Sequence, residues 1–278
     1  MAMRKWSRGA VKALKLVERN SRDDILRALE EIDRELSAGR NGRNNAVKAR
    51  LLVELWRNGW SDRNAIEDAN AFAICGRQAE DDDFYTHLIA AYALKYRARS
   101  SGWSQIAEAM SHYNRAIEIL KKDDPTNTDA LRTVLIDRAE TFVYLSQADL
   151  AVAEMKRALA LRGEPQEWHF WAYAFALHQN GDYGMSIRYL RRLLRGKAAT
   201  DLYHNDMRLL LAASLARAGR NEEAQRTIHD FRRYRDAAKE PVWTISLELE
   251  RGAFFPDSPG ERHWRASLEL LDPKALPR

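Results

Sequence analysis

The strongest constraint on this chain is that one stretch of its sequence recurs at a nearly fixed interval. Leu135–Leu161 and Phe170–Leu194 share one pattern of large and small residues, displaced by 35 residues, and a third copy, Leu211–Phe231, follows 38 residues after the second. Each copy contains two segments with the apolar spacing of a helix. Self-similarity at this spacing is typical of stacked helical hairpins, in which each hairpin buries its apolar face against the next. The repeat therefore predicts a fold, and it reveals no reaction.

Each copy carries one small residue on its first predicted helix and another on its second. These residues are Ala139 and Ala151 in the first copy, Ala174 and Ser186 in the second, and Ala212 and Ala224 in the third. A large side chain at both positions would push the two helices of a hairpin apart. We therefore expect the two small residues of each copy to lie against each other.

These small residues, together with Leu177 and the turn Asn180–Tyr183, resemble the consensus of the tetratricopeptide repeat family. That consensus combines a Trp, a Leu-Gly pair, a Tyr, two Ala and a closing Pro. Arg138 departs from it because an apolar residue is usual there, Ser186 replaces an Ala, and the closing Pro is missing or late, as with Pro165. The resemblance implies an all-α fold, a right-handed superhelical solenoid of antiparallel helix hairpins.

The end of the chain follows a different pattern. Trp243–Ser246, an aromatic-proline element and a closing helix resemble the tails of bacterial repeat arrays attached to class III nucleotide cyclases. No cyclase catalytic domain fits in this chain, so the resemblance carries no cyclase activity over. Ser258–Glu261 has the form of a capping box with Pro at the first helical position. A final helix carrying Trp264, Leu268 and Leu271 should cover the exposed apolar end of the last repeat.

We divide the chain into three parts. Residues 1–20 form a basic N-terminal arm or helix, 21–240 a TPR-like array of about five hairpins, and 241–278 the C-terminal capping helices. In the first part, the side chains expected to form one apolar stripe are Trp6, Val11, Leu14 and Val17. A leading helix should begin after the capping residue Ser21 and stop at Gly39.

Two less regular hairpins precede the clear repeats. The first pairs Asn44–Trp56 with Asp62–Gly76, and the second pairs Phe84–Tyr96 with Trp103–Leu120. For the second hairpin we expect a turn over Arg97–Gly102, several residues longer than the usual turn of this repeat.

The overall composition favours a folded chain outside membranes. With 278 residues, 45% of them hydrophobic and 31% charged, the chain can bury a sizeable core and is too apolar to be disordered. No apolar stretch approaches the ~20 residues that a membrane span needs. The basic N-terminus is not followed by the apolar core and cleavage site of a signal peptide. We expect a cytoplasmic protein with no membrane partner.

The sequence contains no recognisable catalytic or metal-binding pattern. Cys75 is the only cysteine, which excludes an intrachain disulfide and a cysteine metal cluster. The seven histidines are scattered, without a pair at helical metal-binding spacing beside a carboxylate. Gly39–Gly42 lacks the spacing and the preceding strand of a phosphate-binding loop. We therefore expect no cofactor, no metal and no catalytic residue, and not an enzyme.

The resemblance to tetratricopeptide repeats implies that a partner protein binds along the first helices of the hairpins. By register, the groove positions that we single out as anchors are Trp168, Trp171 and Phe175, and those expected to flank them are Tyr144, His178 and Arg217. Exposed aromatic surface commonly marks a contact site. We expect a non-catalytic scaffold or adaptor that binds a peptide or helix there. The open alternative is that Trp168 and Trp171 pack against a neighbouring hairpin or against the chain's own ends.

A second class of function rests on basic residues. The arginines at helical spacing in the middle repeat are Arg188, Arg191, Arg192 and Arg195. On the convex side they would form a stripe able to contact phosphates in a nucleic-acid-associated regulator. A solvated outer face is the more common role for such a stripe, because acidic residues are mixed through the neighbouring repeats. Self-association through the N-terminal arm or the aromatic helix is a further alternative.

Overall fold

The structure is a computed structural model that describes residues 6–17, 21–39, 42–61, 64–101, 104–195, 205–237 and 258–271. Within these ranges the chain forms thirteen helices and no strand, which confirms the expected all-α class. The chain divides into two compact units, residues 1–134 and 135–278. The short helix expected from Pro241 lies outside the described residues.

The helices of the first unit are α1 (Arg8–Val17), α2 (Arg22–Ser37), α3 (Arg43–Arg57), α4 (Asn64–Ala79), α5 (Phe84–Ser101) and α6 (Ser104–Asp123). Helix α7 (Thr128–Tyr144) begins in the first unit and ends in the second. The helices of the second unit are α8 (Ala148–Leu159), α9 (Glu167–Gln179), α10 (Tyr183–Leu194), α11 (Asn205–Arg217), α12 (Asn221–Ala237) and α13 (Pro259–Glu269). Consecutive helices within each unit pack together, such as α3 on α4, α5 on α6, α9 on α10 and α11 on α12. This packing is compatible with a helical repeat.

Helix α1 packs on α2 and α3 through a face that the sequence pattern identified only in part. Its buried residues are Gly9, Ala10, Ala13 and Val17, whereas Val11 is 40% exposed. The expected stripe is therefore right at Val17 and wrong at Val11. Small side chains allow two helix backbones to approach closely, so this face buries well although it carries few large apolar groups.

Two further expectations in the first unit have opposite outcomes. Helix α2 begins as expected, because the Ser21 side chain accepts a hydrogen bond from the amide of Asp24, and Gly39 follows with a φ of 79°. The long turn expected over Arg97–Gly102 is wrong, because α5 continues to Ser101. Helix α6 then begins at Ser104.

Within the described ranges, the same turn closes four helices at equivalent places. In each turn, the residue two positions after the last helical residue has a positive φ. The values are 77° at Gly59, 62° at Ser146, 83° at Gly181 and 73° at Gly219. At each turn the next residue donates its amide hydrogen five residues back, as Asp182 does to the Leu177 carbonyl at 2.8 Å. This is the Schellman arrangement, which normally selects glycine. Ser146 is the one position of the four where another residue carries the left-handed conformation.

The small residues of the repeats are buried as expected. Ala139, Ala151, Ala174, Ser186 and Ala212 are all 0% exposed, and the Ser186 hydroxyl donates to the Ala174 carbonyl at 2.8 Å. That hydrogen bond brings the small residue of α10 onto the small residue of α9. The predicted contact between the two small residues is therefore confirmed in this hairpin. The buried Ser186 hydroxyl needs a hydrogen-bond acceptor, which the Ala174 carbonyl supplies.

Arg138, which departs from the apolar consensus, forms an ion pair inside its hairpin. Its guanidinium contacts the Glu154 carboxylate through two nitrogens, with Nε donating to Oε2 at 3.1 Å. The Arg138 and Glu154 side chains are 17% and 9% exposed, so the pair is mostly shielded from water. A two-nitrogen contact of this kind joins α7 to α8 where the usual repeat has an apolar contact.

Candidate functional site

The candidate site lies in the second unit, on the face formed by α9 and α11, and α13 lies across it. Helix α13 contacts both α9 and α11, which are the first helices of two successive hairpins. The final helix was expected to cover the end of the last repeat, whose last helix is α12. It contacts α11 of that repeat, Gln225 of α12 reaches the Leu271 carbonyl at 3.4 Å, and it also contacts α9 of the preceding repeat.

The apolar part of the contact is built around one tryptophan. Trp264 of α13 is 0% exposed, and its ring meets Phe175 of α9 edge to face, with centroids 5.8 Å apart and planes at 87°. Phe175 in turn stacks on Trp171, with centroids 5.9 Å apart and planes at 13°. Leu268 and Leu271 are also buried. Edge-to-face and offset aromatic pairs are the arrangements that ring quadrupoles favour.

The polar part of the contact is centred on one serine of α13. The Ser267 hydroxyl lies 3.2 Å from His178 Nε2, and it accepts a hydrogen bond from Arg217 Nε at 2.8 Å. Arg217 also donates through Nη2 to the His263 carbonyl at 2.9 Å. Ser267, which is 0% exposed, thus joins α13 to both α9 and α11 at a single oxygen atom.

His178 is neutral in this arrangement. Burial lowers the pKa of its imidazole well below the ordinary value, and the neighbouring His263 and Arg217 lower this pKa further by repelling a positive charge. A neutral imidazole has one donor and one acceptor nitrogen. The Ser267 hydroxyl, which also donates to the His263 carbonyl at 2.8 Å, contacts Nε2, and the Ser214 hydroxyl lies 2.9 Å from Nδ1, so each ring nitrogen of His178 has a hydroxyl partner.

The amino end of α13 is fixed separately. Ser258 caps the helix, since its side chain accepts from the Glu261 amide and its carbonyl accepts from the Arg262 amide at 3.0 Å. Pro259 has no amide hydrogen. The remaining amide of the first turn, that of Gly260, donates to the Ser146 hydroxyl at 2.7 Å. The predicted cap at Ser258 is confirmed, and the turn between α7 and α8 supplies the last acceptor.

The structure brings only some of the predicted site residues together. Phe175, His178 and Arg217 meet around α13, with Phe175 2% exposed and His178 0% exposed. Trp171 is half-buried beside Phe175, and Trp168 is half-buried, with its indole nitrogen donating to Gln166 Oε1 at 2.8 Å. Tyr144, expected as a flanking contact, is 5% exposed.

Three serines that take part in this hydrogen-bond network were not identified from the sequence. They are Ser146, Ser214 and Ser267. A buried serine has no periodic signal that separates it from a solvated one. Ser146 did carry a signal, because it occupies the place that Gly181 and Gly219 take in the other two clear repeats.

Helix α9 is enclosed on more than one side. All residues from Ala172 to His178 are buried. Tyr173 meets Tyr189 of α10 with ring centroids 5.2 Å apart, Phe175 meets α13, and His178 meets Ser214 of α11. Of these three covering helices, α13 is the one that does not belong to a hairpin of the repeats. Phe175 and His178 are therefore shielded by α13 on the side that the repeats leave open.

The arginine stripe lies on α10, away from this contact. Arg188, Arg191, Arg192 and Arg195 are all exposed. Arg191 pairs with Glu223 of α12, and the Arg192 guanidinium lies 6.0 Å from the ring centre of Phe170. A shallow pocket of about 270 Å³ beside them is lined by Pro165, Glu167, Phe170, Tyr189, Arg192, Leu193 and Arg195.

In the described part of the chain, no group of three or more His, Cys, Asp and Glu side chains is arranged to hold a metal ion. Among the same residues, the helices are all too short or too polar to pass through a bilayer.

No protein-family model matches the chain, and a search of curated proteins returns no match.

Proposed function

We propose that the chain is a non-catalytic protein-interaction module, a scaffold or adaptor of the tetratricopeptide kind, that binds a peptide or helix on the face formed by α9 and α11. The observation that carries this proposal is that this face already holds an amphipathic helix. Helix α13 contributes Trp264 to an aromatic contact with Phe175 and Ser267 to a polar contact with His178 and Arg217. A surface that accommodates one helix in this way has the shape and chemistry to accept another.

The recurrent hairpin geometry supports the same proposal. The shared turn at Gly181 and Gly219 and the buried small residues are the features expected if the hairpins stack as a right-handed solenoid. In such an array the first helices line the concave face. Trp168 and Trp171 are half-buried on α9, so they still present aromatic surface next to the helix contact.

Affinity purification from the native host tests this function. The bait is the full chain, compared with Trp171→Ala and with the control Trp60→Ala, which removes a half-buried tryptophan of the first unit. We expect at least one copurifying protein to be lost with Trp171→Ala and retained with Trp60→Ala. An identical set of copurifying proteins for all three baits would refute a binding role for this face.

The exposed arginines of α10 support a second candidate function, a nucleic-acid-associated regulator. Arg192 and Arg195 line one pocket with the stacked rings of Phe170 and Tyr189, whose centroids are 6.0 Å apart, and Arg188 is exposed on the same helix. Cations with adjacent aromatic surface are the groups that bind single-stranded nucleic acid. The test is retention on immobilised DNA: binding through this stripe falls steeply with salt and is lost when the three arginines become serine. Retention that survives those substitutions would exclude the stripe.

A further inference from the structure

We propose that the partner's binding segment is an α-helix with the chemistry of α13 itself: an aromatic residue followed three positions later by a serine or threonine, with the first turn of the helix placed against Ser146. Helix α13 is then a built-in competitor that occupies the face until such a helix displaces it. This inference rests on the proposed function and names the class of partner.

The aromatic requirement follows from the environment of Trp264. Its side chain is fully enclosed against Phe175 and lies 5.3 Å, centroid to centroid, from the His178 ring at 79°. Three rings thus meet in edge-to-face geometry, and a small side chain at this position would leave their faces without contacts. The partner helix must bring a ring to this place.

The hydroxyl requirement follows from the surroundings of Ser267. One oxygen atom accepts from Arg217 Nε at 2.8 Å and contacts His178 Nε2 at 3.2 Å. Ser214, which supports His178 from the other side, is itself 0% exposed. An apolar residue in place of Ser267 would leave a guanidinium nitrogen and a ring nitrogen without this partner. Serine and threonine supply the oxygen at the length that this gap allows.

The contact at the amino end of the helix explains why Ser146 is not glycine. Ser146 has a φ of 62°, in the left-handed region that glycine adopts at the equivalent turns of Gly181 and Gly219. A non-glycine residue is strained there, and strain of this kind is retained where the side chain has a use. Here the Ser146 hydroxyl accepts a hydrogen bond of 2.7 Å from the Gly260 amide. Ser146 therefore binds the first-turn amide of a helix that lacks a partner within the helix itself.

Helix α13 is an imperfect occupant of its own site. The indole nitrogen of Trp264 and the Nε2 atom of His263 are buried without a hydrogen-bond partner among the described residues. Each buried polar group without a partner weakens the contact. A partner helix that supplies the ring without these two groups makes the same contacts with a smaller desolvation penalty, and so can replace α13.

The test uses the full chain carrying Trp264→Ala and a fluorescein-labelled peptide of residues 258–271, followed by fluorescence anisotropy. We expect the peptide to bind this variant at least tenfold more tightly than the wild-type chain, in which the intact α13 competes. A peptide carrying Trp264→Ala should bind about 30-fold more weakly than the natural peptide. A peptide carrying Ser267→Ala should bind about tenfold more weakly. A peptide carrying Glu269→Ala, whose side chain is exposed, is the matched control and should bind like the natural peptide.

A second measurement does not depend on the folding of a variant. Excess natural peptide added to the wild-type chain should accelerate amide exchange in residues 258–271 while α11 stays protected. Loss of binding for the Trp264→Ala and Ser267→Ala peptides alone supports the inference. Equal binding of all four peptides would overturn it while leaving a helix-binding face, and hence the proposed function, intact. Binding of none of them, with no change in exchange, would overturn both.

Discussion

Replacing Ser146 with glycine should separate the stability of the α7–α8 turn from the attachment of α13. Ser146 contributes two effects of opposite sign. Its backbone is strained at a φ of 62°, and its hydroxyl accepts the Gly260 amide at 2.7 Å. Glycine removes the strain and the hydroxyl together, whereas Ser146→Ala removes only the hydroxyl. The pair of variants therefore measures each effect.

The magnitudes follow from these two contacts. A non-glycine residue in the left-handed region costs about 1 kcal/mol, and the extra freedom of glycine in the unfolded chain offsets about half of that gain. Loss of the hydrogen bond to Gly260 costs about 1 kcal/mol in both variants. The free energy of unfolding should therefore fall by about 1 kcal/mol for Ser146→Ala and by about half as much for Ser146→Gly. In both, the free energy that holds the first turn of α13 closed should fall by about 1 kcal/mol, which is roughly a fivefold increase in opening.

Two assays read out these quantities. Chemical denaturation gives the free energy of unfolding, and hydrogen exchange followed by NMR gives the opening of the Gly260 amide. The control amide is that of Asp182, which donates to the Leu177 carbonyl in the equivalent turn and should be unaffected. Unchanged exchange at Gly260 in both variants would show that Ser146 does not hold α13. A glycine variant less stable than the alanine variant would refute the assignment of strain to this turn.

Three further predictions concern pH, the ion pair and the packing of the first unit. Burial lowers the pKa of His178 in the folded chain, so the unfolded chain binds the extra proton as the pH falls. The stability that this shift contributes is fully present above about pH 6.5 and is lost as the pH drops toward the lowered pKa, so the melting temperature of the wild-type chain should fall more steeply below pH 6.5 than that of His178→Gln. Arg138→Leu should cost about 3 kcal/mol, because it leaves the Glu154 carboxylate buried and unpaired, and adding Glu154→Leu should recover most of this loss in urea denaturation; a double variant as unstable as the single one would contradict this. Gly76→Ala should cost about 1 kcal/mol net of its gain in helix propensity, since the new Cβ would lie 3.1 Å from the backbone nitrogen of Ala46, and an increase in the urea midpoint would contradict this.

The repeated hairpins could be predicted because they depend on local sequence. Ala174 and Ser186 sit at a spacing that places them on facing sides of one hairpin, and Gly181 sits where the turn needs a left-handed residue. Both signals lie within one repeat, so they survive without knowledge of the rest of the fold. The buried face of the N-terminal helix was harder to predict, since it consists mainly of Gly9, Ala10 and Ala13, whose small side chains give a weak apolar pattern.

The candidate site could be predicted only in part. Register placed Phe175, His178 and Arg217 on one surface, and the structure brings them together. The sequence did not indicate that Ser267, 89 residues from His178, would complete the contact. Pairings at such separations depend on the path of the whole chain, and the local pattern of a serine contains no information about them.

The sequence by itself determined the helices, the hairpins and the positions at which small residues and glycines must stand, because these depend on periodicity and on backbone geometry within a few tens of residues. The tertiary structure alone decided that α13 lies across α9 and α11, and so which surface is occupied. The physical reason is that Trp264 can bury its ring against any apolar surface of the repeats, whereas Ser146, His178 and Arg217 offer matched polar partners at only one place.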